Sequence, residues 1–195
     1  MKAEPKELLD FSICLDFRAV YGDAELADKL RIHIYKELQG RPSFFPHLAQ
    51  NVLLFKPPFR LLGRIIKSSG SAQDAGRLNM KETLMPLISF GRLYALKHKL
   101  PYTHSMERIE ALVWKKVLQP AACDAVSASY DFLMRLRFQA QLNALQENRP
   151  LDNSIVLNEL GNMDEAMLKQ AFLQIESLQR KVGYDFLGGA EWPGH

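Results

Sequence analysis

Asn162-Met-Asp-Glu-Ala-Met-Leu-Lys-Gln-Ala-Phe-Leu-Gln-Ile-Glu-Ser-Leu-Gln-Arg-Lys-Val182 is the stretch whose reading decides the fold. Leu168, Phe172, Ile175, Leu178 and Val182 recur every three or four residues, and most of the positions between them are polar. That period places five large apolar side chains on one helical face, which must be buried against other elements. Asn162 and Glu165 stand three apart, the spacing of a capping box, so the helix is expected to start near Asn162. Gly188-Gly189 and the polar end to His195 close it with a frayed tail.

Upstream, the same period repeats. A long helix is expected from about Ala121 to Gln146, carrying Tyr130, Leu133, Leu136, Ala140 and Ala144. Before it, Ser105 is placed to cap a helix with Ile109, Leu112, Val113 and Val117 on its stripe. Another helix runs from about Glu82 to His98, with Leu84, Leu87, Ile88, Gly91 and Ala95 inward and Pro101 barring continuation. Residues 68–76 are small, polar and glycine-containing, a loop composition. A short helix is expected from Pro42 to Leu54, stopped by Lys56-Pro57-Pro58. From Asp23, as N-cap, to Gln39, the residues Leu26, Ala27, Leu30, Ile34 and Leu38 mark an amphipathic helix closed by Gly40.

Residues 8–20 break the pattern. Phe11, Ile13 and Leu15 alternate with Ser12, Cys14 and Asp16, which reads as a strand ended at Tyr21-Gly22. The expected fold is therefore mainly α: an antiparallel bundle of five or six helices with one N-terminal strand. That strand needs partners, because its backbone donors and acceptors cannot remain unpaired.

Composition is that of a globular domain, with 47% hydrophobic and 24% charged residues. A formal charge of +3 without a concentrated patch gives no case for nucleic acid or an anionic membrane. The polar start, Met1-Lys-Ala-Glu-Pro-Lys6, holds no secretory core, and runs such as Val52-Leu-Leu-Phe55 are too short for a bilayer. A cytoplasmic location is expected, with Cys14 and Cys123 as reduced core residues. No phosphate-binding glycine loop, Cys-x-x-Cys pair or His-Glu-x-x-His motif occurs, and the five histidines are scattered, so no metal site is expected.

Polar residues beside apolar stripes are the remaining candidates. Arg92 and Arg108 lie next to buried faces of their helices, and Arg137 and Gln141 are four apart on one face. A guanidinium near a core needs a carboxylate or several carbonyls. Two readings stand: internal pairing with Asp131, Glu107, Glu110 or Glu176, or a cleft for an anionic ligand such as a nucleotide phosphate. Asp16 is a pairing residue or a third metal carboxylate, but no Asp-x-Asp or Glu-x-Asp pair accompanies it.

The succession Leu-Asp-Phe-Arg-Ala-Val-Tyr-Gly-Asp (15–23), Lys-Pro-Pro-Phe (56–59), Leu-Asn-Met-Lys (78–81), Ile-Ser-Phe-Gly-Arg-Leu-Tyr-Ala-Leu (88–96), Met-Glu-Arg-Ile (106–109), Tyr-Asp-Phe-Leu-Met-Arg-Leu-Arg-Phe-Gln-Ala-Gln (130–141) and Asp-Asn (152–153) resembles the nucleotidyltransferase substrate-binding domain. That domain closes bacterial signal-transduction proteins that also carry cyclic-nucleotide-binding-like, CBS and polymerase-β-like nucleotidyltransferase domains. The likeness runs from about Leu8 to Phe186, through the order and spacing of motifs. It implies a bundle related to the substrate-binding helices of the uridylyltransferases and adenylyltransferases of nitrogen control. Residues 1–22 would be the terminal strand segment of a nucleotidyltransferase domain, 23–187 the helical substrate-binding domain and 188–195 a tail.

The resemblance implies Lys81, Arg92, Arg108, Arg137, Gln141 and Asn153 as ligand-binding candidates, and Asp16 as candidate third metal carboxylate. The triphosphate-holding Gly-Ser loop and the paired acidic residues would lie upstream of Met1, so the chain is either a fragment or a shortened relative. Magnesium and a nucleoside triphosphate are then expected only with the catalytic domain, and none in this chain. The expected partners are that domain and a protein or small-molecule acceptor. The other reading is a structural or dimerisation bundle without a ligand, pairing as a homodimer through the apolar strand.

Overall fold

The computed structural model describes residues 14–56 and 76–188. Among these, six α-helices and a two-stranded antiparallel ribbon follow in the order α1 (Ala24–Gln39), α2 (Phe44–Leu53), β1 (Arg77–Asn79), α3 (Met80–Lys97), α4 (Ser105–Trp114), α5 (Pro120–Gln146), β2 (Ser154–Val156), a 3-10 turn (Leu157–Glu159) and α6 (Asn162–Leu187). The expected helical bundle is what forms. α3 is its axis, packing against α2, α4, α5 and α6, while α5 and α6 also pack on each other. Met80, Leu84, Leu87, Phe90 and Leu93 of α3 meet Leu133 of α5 and Leu168, Phe172 and Ile175 of α6 in one core. All five stripe residues of α6 are buried, as its period requires.

Several expectations change. The described part of the expected strand, from Cys14 to Val20, has no strand: Cys14 is helical and Asp16 to Val20 are irregular. Residues 8–13 lie outside the described residues. Leu15, the described apolar member of that alternation, packs against the core without joining a sheet. Cys14 is exposed, not a core residue, whereas Cys123 is buried; both are free thiols. The stripe of α1 is only half used. Leu38 is buried and Ile34 half-buried, but Leu26 and Leu30 are 65% and 50% exposed. The bundle closes around α3 without them, and α1 reaches it through Leu38, Ile34 and the Tyr35 hydroxyl, which donates to Leu100 O at 2.6 Å.

Helix ends carry the other differences. Asp23 caps α1 as expected, accepting from Glu25 N at 2.9 Å. Ser105 is instead the first helical residue of α4, and His104 holds the cap position without a side-chain bond. Asn162 likewise opens α6 one residue after Gly161, the cap. α3 begins two residues earlier than expected because Asn79 caps it, its Oδ1 accepting from Lys81 N and Glu82 N while its Nδ2 donates to Glu82. At the other ends, α3, α4 and α5 each close in a Schellman turn. Lys99, Lys116 and Asn148 take the left-handed conformation, with φ of 56°, 58° and 52°. Leu100 N then bonds to Ala95 O, Val117 N to Leu112 O and Arg149 N to Ala144 O.

The ribbon joins segments far apart in sequence. Arg77, Leu78 and Asn79 pair with Val156, Ile155 and Ser154, and Met80 N extends the ladder to Asn153 O at 2.8 Å. β2 also packs on α5, so the ribbon pins the start of α3 to the C-terminal half of the longest helix.

Candidate functional site

The six ligand candidates and Asp16 fall into two clusters at opposite ends of α3. Lys81 and Arg92 are eleven residues apart on one helix, or about 16 Å at ~1.5 Å per residue.

At the C-terminal end, Arg92 of α3 and Arg108 of α4 converge on Asp16. Arg92 Nε and Nη2 donate to Asp16 Oδ2 at 3.0 and 2.8 Å. Arg108 Nη1 donates to the same oxygen at 3.3 Å, and its Nη2 to Oδ1. Arg108 Nε is held by Tyr102 O at 2.8 Å. α4 lies directly on α3 at Gly91: a Cβ there would be in van der Waals contact with Ile109 Cδ1 at 3.4 Å and Arg108 Cβ at 3.6 Å. The internal-pairing reading of these arginines therefore holds in kind but not in partner. Asp16, not Asp131, Glu107, Glu110 or Glu176, supplies the carboxylate, because it arrives from a distant segment that helical spacing cannot reveal. Phe17, next to it, lies under the guanidinium of Arg31, 5.0 Å from the ring centroid, and its carbonyl accepts from Arg31 Nη2 at 2.7 Å. Tyr35 lies in the same cluster, and burial raises the pKa of its hydroxyl, partly offset by Arg31 and Arg108.

At the N-terminal end, Arg137 and Gln141 of α5 act together, as their spacing predicts. Arg137 Nε and Gln141 Nε2 donate to one oxygen, Asn153 Oδ1, at 2.7 and 3.0 Å. With Met80 N on its carbonyl, Asn153 fastens β2 to both α3 and α5. Lys81 is exposed at the first turn of α3. Three of the candidates are thus a strut holding the ribbon in place.

Beside that strut is an open groove between the ribbon and α5 that the sequence reading missed. Arg77, Arg135, Gln139, Asn143, Arg149, Asp152, Ser154 and Asp164 supply its polar groups, and Leu136, Ile155 and Leu160 its apolar floor. Arg135 pairs with Asp164 at 2.7 Å, Arg149 with Glu147 at 2.6 Å, and Arg77 with Asp152. Burial alone would raise the Asp152 carboxyl, but hydrogen bonds from Ser154 and the charge of Arg77 outweigh it and hold its pKa below the usual carboxylate range. The Schellman turn at Asn148 is what brings Arg149 to the groove. Signals for part of this were present: Asn79 and Glu82 form a capping box that marks the start of α3, and Ser-Ile-Val (154–156) is a short β-prone run. Their pairing across 75 positions had no local signal. Chemically, the groove offers exposed guanidinium and amide donors with carboxylate acceptors, a set suited to holding a polar ligand. Among the described residues, no three His, Cys, Asp or Glu side chains group as metal ligands. None of the described helices is long and apolar enough to cross a membrane.

A family model described as "Putative nucleotidyltransferase substrate binding domain" matches residues 42–186, which take in α2 to nearly the end of α6, both arginines of the first cluster and the whole groove. No curated protein and no solved structure matches the chain.

Proposed function

We propose a binding role for this chain, which belongs to the nucleotidyltransferase substrate-binding domain family: it holds a protein or small-molecule acceptor for nucleotidyl transfer by an associated nucleotidyltransferase region, and does not catalyse the transfer alone. The observation that carries this reading is the groove beside α5. Its donors and acceptors are exposed, yet they are set on rigid elements by the Arg137–Asn153–Gln141 strut, the arrangement a positioning site requires. The binding candidates therefore become Arg77, Arg135, Gln139, Asn143 and Arg149, with Arg137, Gln141 and Asn153 as positioning residues; Lys81 is not among the residues lining the groove. Asp16 supports the non-catalytic part of the reading. Four guanidinium N–H groups already engage its two oxygens, so in this arrangement it is a pairing residue and not a metal carboxylate. Magnesium and the nucleoside triphosphate would be held by the associated region.

The test supplies a nucleotidyltransferase region in trans with magnesium, an α-labelled nucleoside triphosphate and a host-cell extract as the source of acceptor. A labelled product that requires the helical chain, and that falls at least about tenfold when Arg135 and Asn143 are both replaced by alanine, is the expected result, an order of effect typical of lost positioning. The same labelling without the helical chain would overturn the proposal.

A second reading, a structural or dimerising bundle without ligand, draws on one observation. Phe138, Leu142 and Leu145 are 57%, 49% and 60% exposed along the outer face of α5. Light scattering separates the two: a dimer that Phe138→Lys converts to monomer, with transfer unaffected by the groove variants, would favour it.

A further inference from the structure

Charge does not balance where Asp16 meets the bundle. The side chains of Arg92 and Arg108 are 9% and 5% exposed, and one carboxylate, 20% exposed, faces both. Two cations against one anion leave an excess positive charge where water has little access, a costly arrangement unless more anion or more acceptors are supplied. Hydrogen bonding is short as well. Oδ2 of Asp16 takes three donors, Oδ1 takes one, and Arg92 Nη1 is buried with no partner. The two arginines lie inside the family-matched residues, whereas Asp16 lies ahead of them. Position and charge together mark Asp16 as an occupant of the arginine pair and not as part of its frame. The frame is fixed independently, by Tyr102 O on Arg108 Nε and by the close packing of α4 on Gly91.

We propose that Arg92 and Arg108 form an oxyanion site of the phosphate class, that Asp16 fills it as a tethered self-ligand, and that a phosphate dianion displaces Asp16 and frees the segment from Leu15 to Gly22. A phosphate group brings the second negative charge that the pair lacks and more acceptor oxygens than a carboxylate offers, and the planar guanidinium fork matches it. Among the described residues, the segment also meets the bundle through Leu15 on the core and Phe17 on Arg31. The site is therefore a switch in which ligand and Asp16 compete, and the position of the chain ahead of α1 reports the winner. The proposal rests on the substrate-binding reading only for why phosphate-bearing ligands are at hand. The site itself is distinct from the α5 groove.

The test uses the full chain, with inorganic phosphate compared against chloride at matched ionic strength, and adenosine monophosphate as a second probe. Asp16→Ala is expected to lower the unfolding midpoint in chloride and to recover it in phosphate. Its apparent phosphate affinity should be at least about tenfold that of the unsubstituted chain, because a site closed nine-tenths of the time binds with that fraction lost. Adding Arg92→Gln to Asp16→Ala should abolish the recovery. Equal effects of the two probes would assign recognition to the phosphate group alone, and a larger effect of the nucleotide would assign the base a share. If Asp16→Ala does not fold, hydrogen exchange on the unsubstituted chain decides: phosphate should accelerate amides 17–22 and leave those of α6 unchanged. Phosphate acting no differently from chloride in both experiments, or recovery that survives Arg92→Gln, would overturn the switch. Either outcome leaves the groove variants and their transfer assay unaffected, so the two proposals fail separately.

Discussion

The two arginine clusters of this bundle use the same side chain in opposite ways. At one end of α3, Arg92 and Arg108 are buried and meet a carboxylate; at the other, Arg137 is half-buried and shares a neutral amide oxygen with Gln141. The first arrangement is energetically stiff, since removal of one partner strands a charge away from water. The second is forgiving, since water can replace a lost donor. A buried ion cluster built from a distant segment is suited to reporting where that segment is. A strut built on one neutral amide acceptor is suited to holding a ribbon still beside a groove.

That contrast is open to direct attack. Asp16→Ala, which strands the buried Arg92 and Arg108 without their shared carboxylate, is expected to cost about 3–5 kcal/mol of unfolding free energy in urea titration in chloride. A loss below about 1 kcal/mol would put the first cluster in the same class as the second. Asn153→Ala removes one acceptor shared by two donors that stay partly wet, and about 1–2 kcal/mol is expected, together with weaker acceptor binding. Arg135→Ala, in a pair whose members are 57% and 32% exposed, should change stability by no more than about 1 kcal/mol while reducing transfer in trans. The smallest effect is one of pH. Because Asp152 has a folded pKa below its ordinary value of 3.8, its contribution is complete above that value and is lost as pH falls through the lower folded one. Carboxyl titration by NMR should place Asp152 below the exposed carboxylates, and Arg77→Ala should move it upward.

Legibility in the sequence followed the range of the interaction. α6 was fully readable because every contact of its stripe falls on one helical face and every stripe residue is buried. α1 has almost as regular a stripe, yet only its last turns touch the bundle. Periodicity says which residues share a face, not whether a neighbour covers it. Pro101 pointed to the end of α3, but the stop itself is a left-handed Lys99, and lysine carries no signal for that conformation. Arg92 and Arg108 could be recognised as near-core arginines needing a carboxylate. Their partner could not, because Asp16 sits 76 and 92 positions away in a segment whose alternation suggested a strand. The groove was least visible of all, since it arises from a ribbon of three residues per strand whose halves have no local reason to meet.

Incorporation of labelled nucleotide by the purified chain alone, with magnesium and each of the four nucleoside triphosphates, tests the account at its centre. A chain that binds an acceptor and leaves transfer to an associated region gives no label above a protein-free blank. Magnesium-dependent labelling that disappears on Asp16→Asn would contradict that account and would make Asp16 a catalytic carboxylate.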